Sequence, residues 1–238
     1  MQDEVLSARC TSQHVRDAAP PFALLPIGAC EQHGPHLPLD TDWRIASTVG
    51  EGVCCRLGGL FLPALPYGTS IEHRGFAGTI SLRAATLAAV VRDVVESCRT
   101  FGCTRIAVLS GHGGNWILKP AIRELNVDMP DTMIILVPEP VLWGTSLGDD
   151  LHAGRVETSL MLHLDAGAVD ELPGDFVPSA GREFLDYVPM STVSDRGIWG
   201  YPAQGTADEG ERIVREMVER VAAYLEETFL ALDSLAVQ

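Results

Sequence analysis

Short apolar runs alternate with amphipathic stretches along this chain, and that alternation is the feature that most limits its fold. The runs are bounded by Gly and Pro and predict buried parallel strands at 22–27, 60–65, 105–109 and 133–137. Helical spacing predicts helices at about 42–56, 86–101, 116–126, 154–164 and 207–232. We therefore expect an α/β fold, a single-domain three-layer sandwich with a mostly parallel central sheet.

The length and one Gly- and Pro-rich segment set the expected domain organisation. With 238 residues, the chain is long enough for one sizeable domain and short for two. One domain is therefore expected over residues 1–238. The segment at about 173–206 is predicted to be an irregular excursion, either a lid or a subunit contact.

Charge, hydropathy and cysteine usage exclude several classes of protein. The formal net charge of -15 would repel a phosphate backbone, so nucleic acid is not an expected partner. No stretch approaches the roughly 20 apolar residues of a membrane span, and the N-terminus lacks the pattern of a signal peptide. A cytoplasmic protein without a membrane partner is therefore expected. The six cysteines form no CxxC pair, which argues against a zinc finger.

Two polar segments follow predicted strands, at the strand ends where open α/β sheets bind ligands. The first is EQHGPHLPLDTD, in which an extended backbone would point the side chains of Glu31 and His33 to the same side. Asp42, at the start of the next predicted helix, could come close to both of them. The second is GHGGN, whose glycines let the imidazole of His112 approach a ligand closely. Imidazole and carboxylate donors together suit zinc, iron or manganese.

A third segment, GDDLHAGRVETS, places His152 just before a predicted helix and Glu157 in its first turns. Glu157 is also suited to stabilise the helix dipole, and Asp40 and Asp42 are each suited to be the N-cap of the helix predicted at about 42–56. Asp149 and Asp150 are either partners that hold His152 in one tautomer or solvated loop acids. Each residue alone is more often structural than functional. Five of the seven histidines, however, lie in short polar segments beside Gly, Pro and acids, which core packing does not require.

These motifs resemble those of the creatininase family. The matching segments are EQHGPHLPLDTD at 31–42, YGTSIEHRGFAGT at 67–79, GHGGN at 111–115 and HAGRVETS at 152–159, in the order of the family's motifs. The first block is the most specific of the four. The resemblance implies a creatininase-like α/β fold and a homo-oligomer, commonly a hexamer.

The resemblance also implies two divalent metal ions per subunit, with zinc, iron and manganese as candidates. Asp42 is implied as the ligand that bridges the ions. One ion would also be held by Glu31 and His112, and the other by His33.

Two departures from the family pattern bear on the site and the substrate. Creatininase itself takes a further ligand from the acid of a G-H-x-E-N motif, where this chain has Gly114. Glu157 is the candidate for the missing ligand, and the departure weakens the case for creatinine as substrate. Arg155 stands where many members carry Glu, and it is similar to the HAGR-x-ETS of the mycofactocin-precursor peptidases.

The expected activity is that of a metal-dependent amidohydrolase, which cleaves a C–N bond of a small or cyclic amide with metal-activated water. His152 is expected to stabilise the oxyanion or protonate the leaving nitrogen, and Glu31 is a second candidate for proton transfer. Residues expected to contact a small-molecule or short-peptide substrate are Tyr67, Ser70, His73 and Trp143.

Four alternatives stay open at this point. A mycofactocin-type precursor peptidase would use the same metal site. So would a formamidopyrimidine-nucleotide deformylase, for which Arg44, Arg74 and Arg155 are the candidate phosphate contacts. A metal-binding scaffold subunit would keep the ions without catalysis. A serine hydrolase would use Ser146, which lies in a G-x-S-x-G pentapeptide but follows two prolines instead of a strand.

Overall fold

A single parallel sheet forms the centre of the molecule in the computed structural model, which describes residues 5–144 and 148–236. Its strands are Ala23–Ile27 (β1), Leu60–Phe61 (β2), Arg105–Ser110 (β3) and Met133–Leu136 (β4). They are ordered β2-β1-β3-β4, and every pairing is parallel. The predicted α/β fold with a parallel central sheet is confirmed.

Helices connect and cover these strands. They are Ser12–Ala18 (α1), Thr41–Leu57 (α2), Ala84–Thr100 (α3), Leu118–Asp128 (α4), Glu139–Trp143 (α5), Arg155–Asp165 (α6), Met190–Val193 (α7) and Ala207–Ala236 (α8). Single 3-10 turns add Ile71–His73, Ala166–Ala168, Arg182–Asp186 and Pro202–Gln204. Within the described part of the chain, none of the helices is long and apolar enough to cross a membrane.

Two apolar clusters, one on each face of the sheet, give the fold its three layers. Alternate side chains of a strand point to opposite faces, so Leu24 of β1 joins the cluster that packs against α2, α6 and α8. Its neighbour Leu25 joins the cluster under α3 and α4. Every residue of β1 is buried, as expected for a central strand covered on both faces.

The second strand is shorter than the sequence predicts. We expected a strand over 60–65, but β2 ends at Phe61. Pro63 has no N–H to donate to a sheet, so a regular ladder cannot run through it. The chain returns to the sheet at Leu65, which donates to the oxygen of Pro26 (3.0 Å) and accepts from the N–H of Gly28 (3.0 Å).

The serine-hydrolase alternative depends on a segment of which only the flanks can be described. Ser146 lies within 145–147, outside the described residues. The residues just before it form α5, whereas a nucleophile elbow requires a strand in that place. The local structure therefore argues against a serine nucleophile.

Candidate metal centre

The start of α2 lies against the ends of β1 and β3, and glycines make this approach possible. A Cβ on Gly28 would overlap the backbone of Trp43, and one on Gly111 would lie 2.7 Å from the backbone oxygen of Asp42. Because real side chains do not tolerate such contacts, both strand ends require glycine. The first turn of α2 thereby brings Asp42 between the loops that follow the two strands.

The carboxylate of Asp42 lies between two imidazoles. Its Oδ1 is 3.2 Å from Nε2 of His33, and its Oδ2 is 3.3 Å from Nδ1 of His112. Burial favours a neutral carboxyl, but the two histidines outweigh it and lower the pKa of Asp42. Burial likewise opposes a charge on His33, yet Asp42 and Glu157 raise the pKa of that imidazole to about 10. One oxygen facing each imidazole is the arrangement that a bridging ligand requires.

Glu31 is fully buried beside His112, with Oε2 3.1 Å from Nε2 of that imidazole. Within the described residues, neither carboxylate oxygen of Glu31 has a hydrogen-bond partner of good geometry. Burial raises the pKa of Glu31 to about 8. A buried carboxylate without hydrogen bonds is costly unless a cation compensates its charge. The environment of Glu31 therefore fits a bound metal ion.

Helix α6 contributes a second buried acid, Glu157. Its Oε2 is 3.9 Å from Nε2 of His33 and accepts a hydrogen bond from the backbone N–H of Ala153 (2.6 Å). Burial raises the pKa of Glu157 to about 7. Ala153 has a φ of 51°, in the left-handed region that a residue with a side chain rarely adopts. Glu157 therefore accepts a hydrogen bond from a backbone N–H at the start of α6 and also faces the imidazole of His33.

Four sets of side chains bring potential metal-ligand atoms within 4.8 Å of one another. The sets are Glu31, Asp42 and His112; His33, Asp42 and Glu157; Glu31, His33 and His152; and Glu31, Glu72 and His73. The first two share Asp42 and contain all five predicted ligands. Mixed carboxylate and imidazole donors suit zinc, iron or manganese. Glu72 was not predicted as a site residue, although it precedes His73 in a quoted motif.

His152 lies beside these sets and is held by its backbone and its ring. Its N–H donates to the oxygen of Trp199 (3.0 Å), and the N–H of Trp199 donates back (2.8 Å). Ring Nε2 donates to the backbone oxygen of Gln32 (2.8 Å), and Nδ1 is 3.8 Å from Oε1 of Glu31. Burial lowers the pKa of His152 well below its usual value. The neutral ring therefore presents Nδ1 as an acceptor toward Glu31.

The side chain of Gln32, which sequence reasoning missed, orders two of the histidines. Its amide nitrogen lies 3.0 Å from Nε2 of His152, and its two hydrogens are donated to Nδ1 of His73 (2.8 Å) and to the oxygen of Gly197 (3.2 Å). The backbone oxygen of Gln32 can only accept, so the proton between it and His152 lies on Nε2 of the histidine, which therefore does not accept from the Gln32 amide. Nε2 of His73 then carries the proton that faces Oε1 of Glu31, at 3.5 Å. The available signal was the position of Gln32 between two predicted ligands.

Asp150 has a different role from the tautomer-fixing one considered above. Its buried carboxylate accepts hydrogen bonds from the backbone N–H groups of Arg155 (2.8 Å), Val156 (2.7 Å) and Tyr201 (2.9 Å). It therefore ties the start of α6 to the segment at 173–206. The ring of His152 is oriented by Gln32 instead, and Asp149 is exposed.

A cavity of about 1230 Å³ opens over the site. Site residues in its lining are Asp42, Glu72, His73, His112, Trp143, His152 and Glu157, and the segment at 173–206 adds Arg182, Glu183, Leu185, Asp186 and Met190. Of the predicted substrate contacts, His73 and Trp143 are in this lining, and Ser70 is fully buried. Tyr67 is 44% exposed and is not part of the lining. A contact between Tyr67 and substrate stays a prediction without geometric support.

Comparisons with known proteins identify the family that the chain resembles. A family model described as creatininase (creatinine amidohydrolase) matches residues 8–225. The chain is 39% identical over 217 residues to a mycofactocin precursor peptide peptidase of Mycobacterium ulcerans, a match that covers 84% of this chain and 82% of the relative. It is 29% identical over 235 residues to a creatinine amidohydrolase of Pseudomonas putida, covering 87% and 89%.

Solved structures share the fold. A crystal structure of creatinine amidohydrolase superposes with a TM-score of 0.84 at 25% identity, covering 95% of this chain and 98% of that one. A mutant creatininase of the Zn–Zn type superposes with a TM-score of 0.75 at 25% identity, covering 94% and 98%. A structure described as creatininase Mn gives 0.84 at 24% identity, with the same coverage.

Proposed function

The chain belongs to the creatininase family, and we propose that it is a metal-dependent hydrolase that cleaves an amide C–N bond in a short peptide. The observation that carries the proposal is the fully buried carboxylate of Glu31, to which the described residues give no hydrogen bond of good geometry, beside ligand sets that share Asp42. A buried acid in such a place needs a cation. The donor set fits a divalent metal ion.

We propose two ions in the site. The first would be held by Glu31, Asp42 and His112, and the second by His33, Asp42 and Glu157. The sharing of Asp42 between the two sets supports this arrangement. Glu157 then supplies the ligand that Gly114 does not. The mixed donors accommodate zinc, iron or manganese.

The size of the cavity supports a peptide over a small cyclic amide. Ligand pockets for drug-sized molecules measure about 300–1,000 Å³. At about 1230 Å³ the cavity exceeds that range, so a cyclic amide would leave most of it filled with water. The 39% identity to a peptide peptidase, against 29% to a creatinine amidohydrolase, supports the same choice.

The chain's own residues supply positioning and proton transfer. Bound divalent ions would supply Lewis acidity toward the amide carbonyl and lower the pKa of a water molecule. His152 presents Nδ1 as an acceptor on the side of Glu31, because its Nε2–H donates to the backbone oxygen of Gln32. Nδ1 is therefore the atom that we expect to take the proton of the attacking water and pass it to the leaving nitrogen. Trp143 and Met190 form apolar parts of the cavity wall and would exclude water.

Metal analysis combined with a substrate panel tests the proposal. Purified protein would be assayed for metal content, then incubated with creatinine, a formamidopyrimidine nucleotide and a synthetic mycofactocin precursor peptide. We expect bound divalent metal and cleavage of the peptide alone, detected by mass spectrometry. Turnover of creatinine without peptide cleavage would refute the substrate assignment. Metal without turnover of any amide would support a scaffold subunit instead.

The deformylase alternative has less support. A nucleotide phosphate requires cationic side chains in the cavity, but the predicted contacts Arg44, Arg74 and Arg155 are not part of its lining. Lys119 and Arg182 do line the cavity, and Arg182 is paired with Glu139 (3.1 Å). Arg44 is instead paired with Asp40 (2.8 Å) and Asp165 (2.8 Å). The formamidopyrimidine arm of the panel is therefore expected to give no product.

Replacement of His152 tests its proton-transfer role. We expect His152→Ala to lower kcat by about 10²–10⁴-fold, the usual contribution of general acid–base catalysis. Metal content should stay at the wild-type value, because the proposed ligand sets do not require this imidazole. His14→Ala removes an exposed histidine and serves as the control. Loss of metal in parallel with activity would reassign His152 as a ligand.

We propose that the segment at 173–206 acts as a lid for this cavity. The turn Arg182–Asp186 and the buried Met190 line the cavity, which supports a covering role. A subunit contact is the competing role, and the hexamer implied by the family resemblance remains a prediction, as does a cytoplasmic location. Light scattering of the wild type and of Tyr187→Ala, which removes an 81% exposed aromatic ring of this segment, tests the oligomer.

A further inference from the structure

Glu72 brings a carboxylate toward the site from a loop that none of the proposed ligands occupies. It lies in the turn Ile71–His73, and its side chain is only 13% exposed. Its Oε1 is 3.4 Å from Nε2 of His112. The side chain also lines the cavity. Glu72 therefore faces the reaction space and not bulk solvent.

Gly114 provides the room for this carboxylate. A Cβ on Gly114 would overlap Oε1 of Glu72 and Nε2 of His112, and would lie 2.7 Å from the backbone oxygen of Thr69. A side chain at 114 and the observed position of Glu72 are therefore mutually exclusive. Gly114 is also the position at which this chain lacks the acid of the G-H-x-E-N motif.

The surroundings of Glu72 point to a cation. Ligand atoms of Glu31, Glu72 and His73 lie within 4.8 Å of one another. Both oxygens of the fully buried Glu31 are without hydrogen-bond partners in the described part of the chain. Two carboxylates this close repel each other in a site of low dielectric unless positive charge separates them. Both therefore need the same counter-charge.

We propose that Glu72 is a further ligand of the ion held by Glu31 and His112, in the space that Gly114 leaves open. This inference rests on the proposed function, since it assigns one more ligand to the same site. Four carboxylates would then face two divalent ions, namely Glu31, Asp42, Glu72 and Glu157. Their charges sum to -4 against +4, so a neutral cage results. In a buried site, carboxylates whose charge balances that of the ions hold them more tightly than a set with too little negative charge.

The test is metal affinity in the isostere Glu72→Gln, measured by competition with a fluorescent chelator for Zn²⁺ and for Mn²⁺. The amide keeps the shape and removes the charge. We expect at least about a tenfold weaker affinity for one of the two ions. The control is Glu183→Gln, which removes one negative charge from an exposed position in the same cavity. It should bind both ions as the wild type does.

The outcomes separate this inference from the proposed function. Wild-type affinity in Glu72→Gln would overturn the ligand role of Glu72 while leaving the metal site intact. An equal loss in Glu183→Gln would also overturn it, since general electrostatics would then explain the change. Absence of metal from the wild-type protein would refute the proposed function itself. If Glu72→Gln does not fold, Glu72→Asp keeps the charge but shortens the reach, and an unchanged affinity there would equally count against coordination.

Discussion

Replacing Asp42 with asparagine is expected to lower kcat/KM by at least about 1000-fold, because the substitution removes the carboxylate shared by both proposed ions. Each oxygen of Asp42 faces a different imidazole, at 3.2 and 3.3 Å. A metal ion contributes several kcal/mol of charge stabilisation in the transition state, and about 4 kcal/mol corresponds to that factor. Activity and metal stoichiometry, measured on the same preparation, check the prediction.

The matched control for this substitution is Asp40→Asn. Asp40 lies two residues earlier, is 41% exposed at its side chain and pairs with Arg44 at 2.8 Å. Its loss should leave kcat/KM within about twofold of the wild type, because a surface ion pair contributes little. Asp42→Asn with full metal content and wild-type turnover would rule out the shared-ligand role.

Removing the metal is expected to abolish turnover and to lower the melting temperature by about 8–16 °C. A ligand present at a thousand times its Kd stabilises the folded state by about 4 kcal/mol, and each kcal/mol moves the melting temperature of a chain of this size by about 2–4 °C. Removal of the metal also leaves the buried carboxylate of Glu31 without a counter-charge, which destabilises the folded state further. Activity assays and thermal unfolding before and after treatment with a chelator measure both effects.

Two further measurements make the chelator experiment decisive. Addition of Zn²⁺ or Mn²⁺ should restore activity and the melting temperature together. The Asp42→Asn variant should show little change with chelator, because it has already lost the shared ligand. Full activity in protein shown by elemental analysis to be free of metal would contradict the proposed chemistry.

Much of the fold could be predicted from the sequence because local signals and tertiary structure agree. Gly and Pro bound the buried strands, and the predicted strand at 105–109 lies within Arg105–Ser110. The predicted helix at about 42–56 corresponds to Thr41–Leu57. The exceptions have physical causes. Pro63 interrupts the ladder of β2, and the five residues of α5 are too few for helical periodicity to be recognised.

The candidate site was predictable where a residue type and its spacing already indicated a ligand. Glu31, His33, Asp42, His112 and Glu157 all fall within two ligand sets, although their roles stay predictions. Gln32 and Glu72 were missed because their importance depends on where a neighbouring loop places His73 and His112. Asp150 was expected to be either a partner of the His152 ring or a solvated loop acid, whereas it is buried and its contacts are to backbone N–H groups, which a sequence does not reveal.

The paired hydrogen bonds between His152 and Trp199 have a mechanical consequence. Trp199 lies near the end of the segment at 173–206. Asp150, which also accepts hydrogen bonds from the start of α6, accepts one from the backbone N–H of Tyr201 in the same segment. A displacement of this segment that moves Trp199 would therefore also move His152, the residue proposed to transfer protons. Closure of the segment over a substrate would then also align the imidazole of His152. Substitutions in the segment, distant from the ions, would therefore change turnover more than substrate binding.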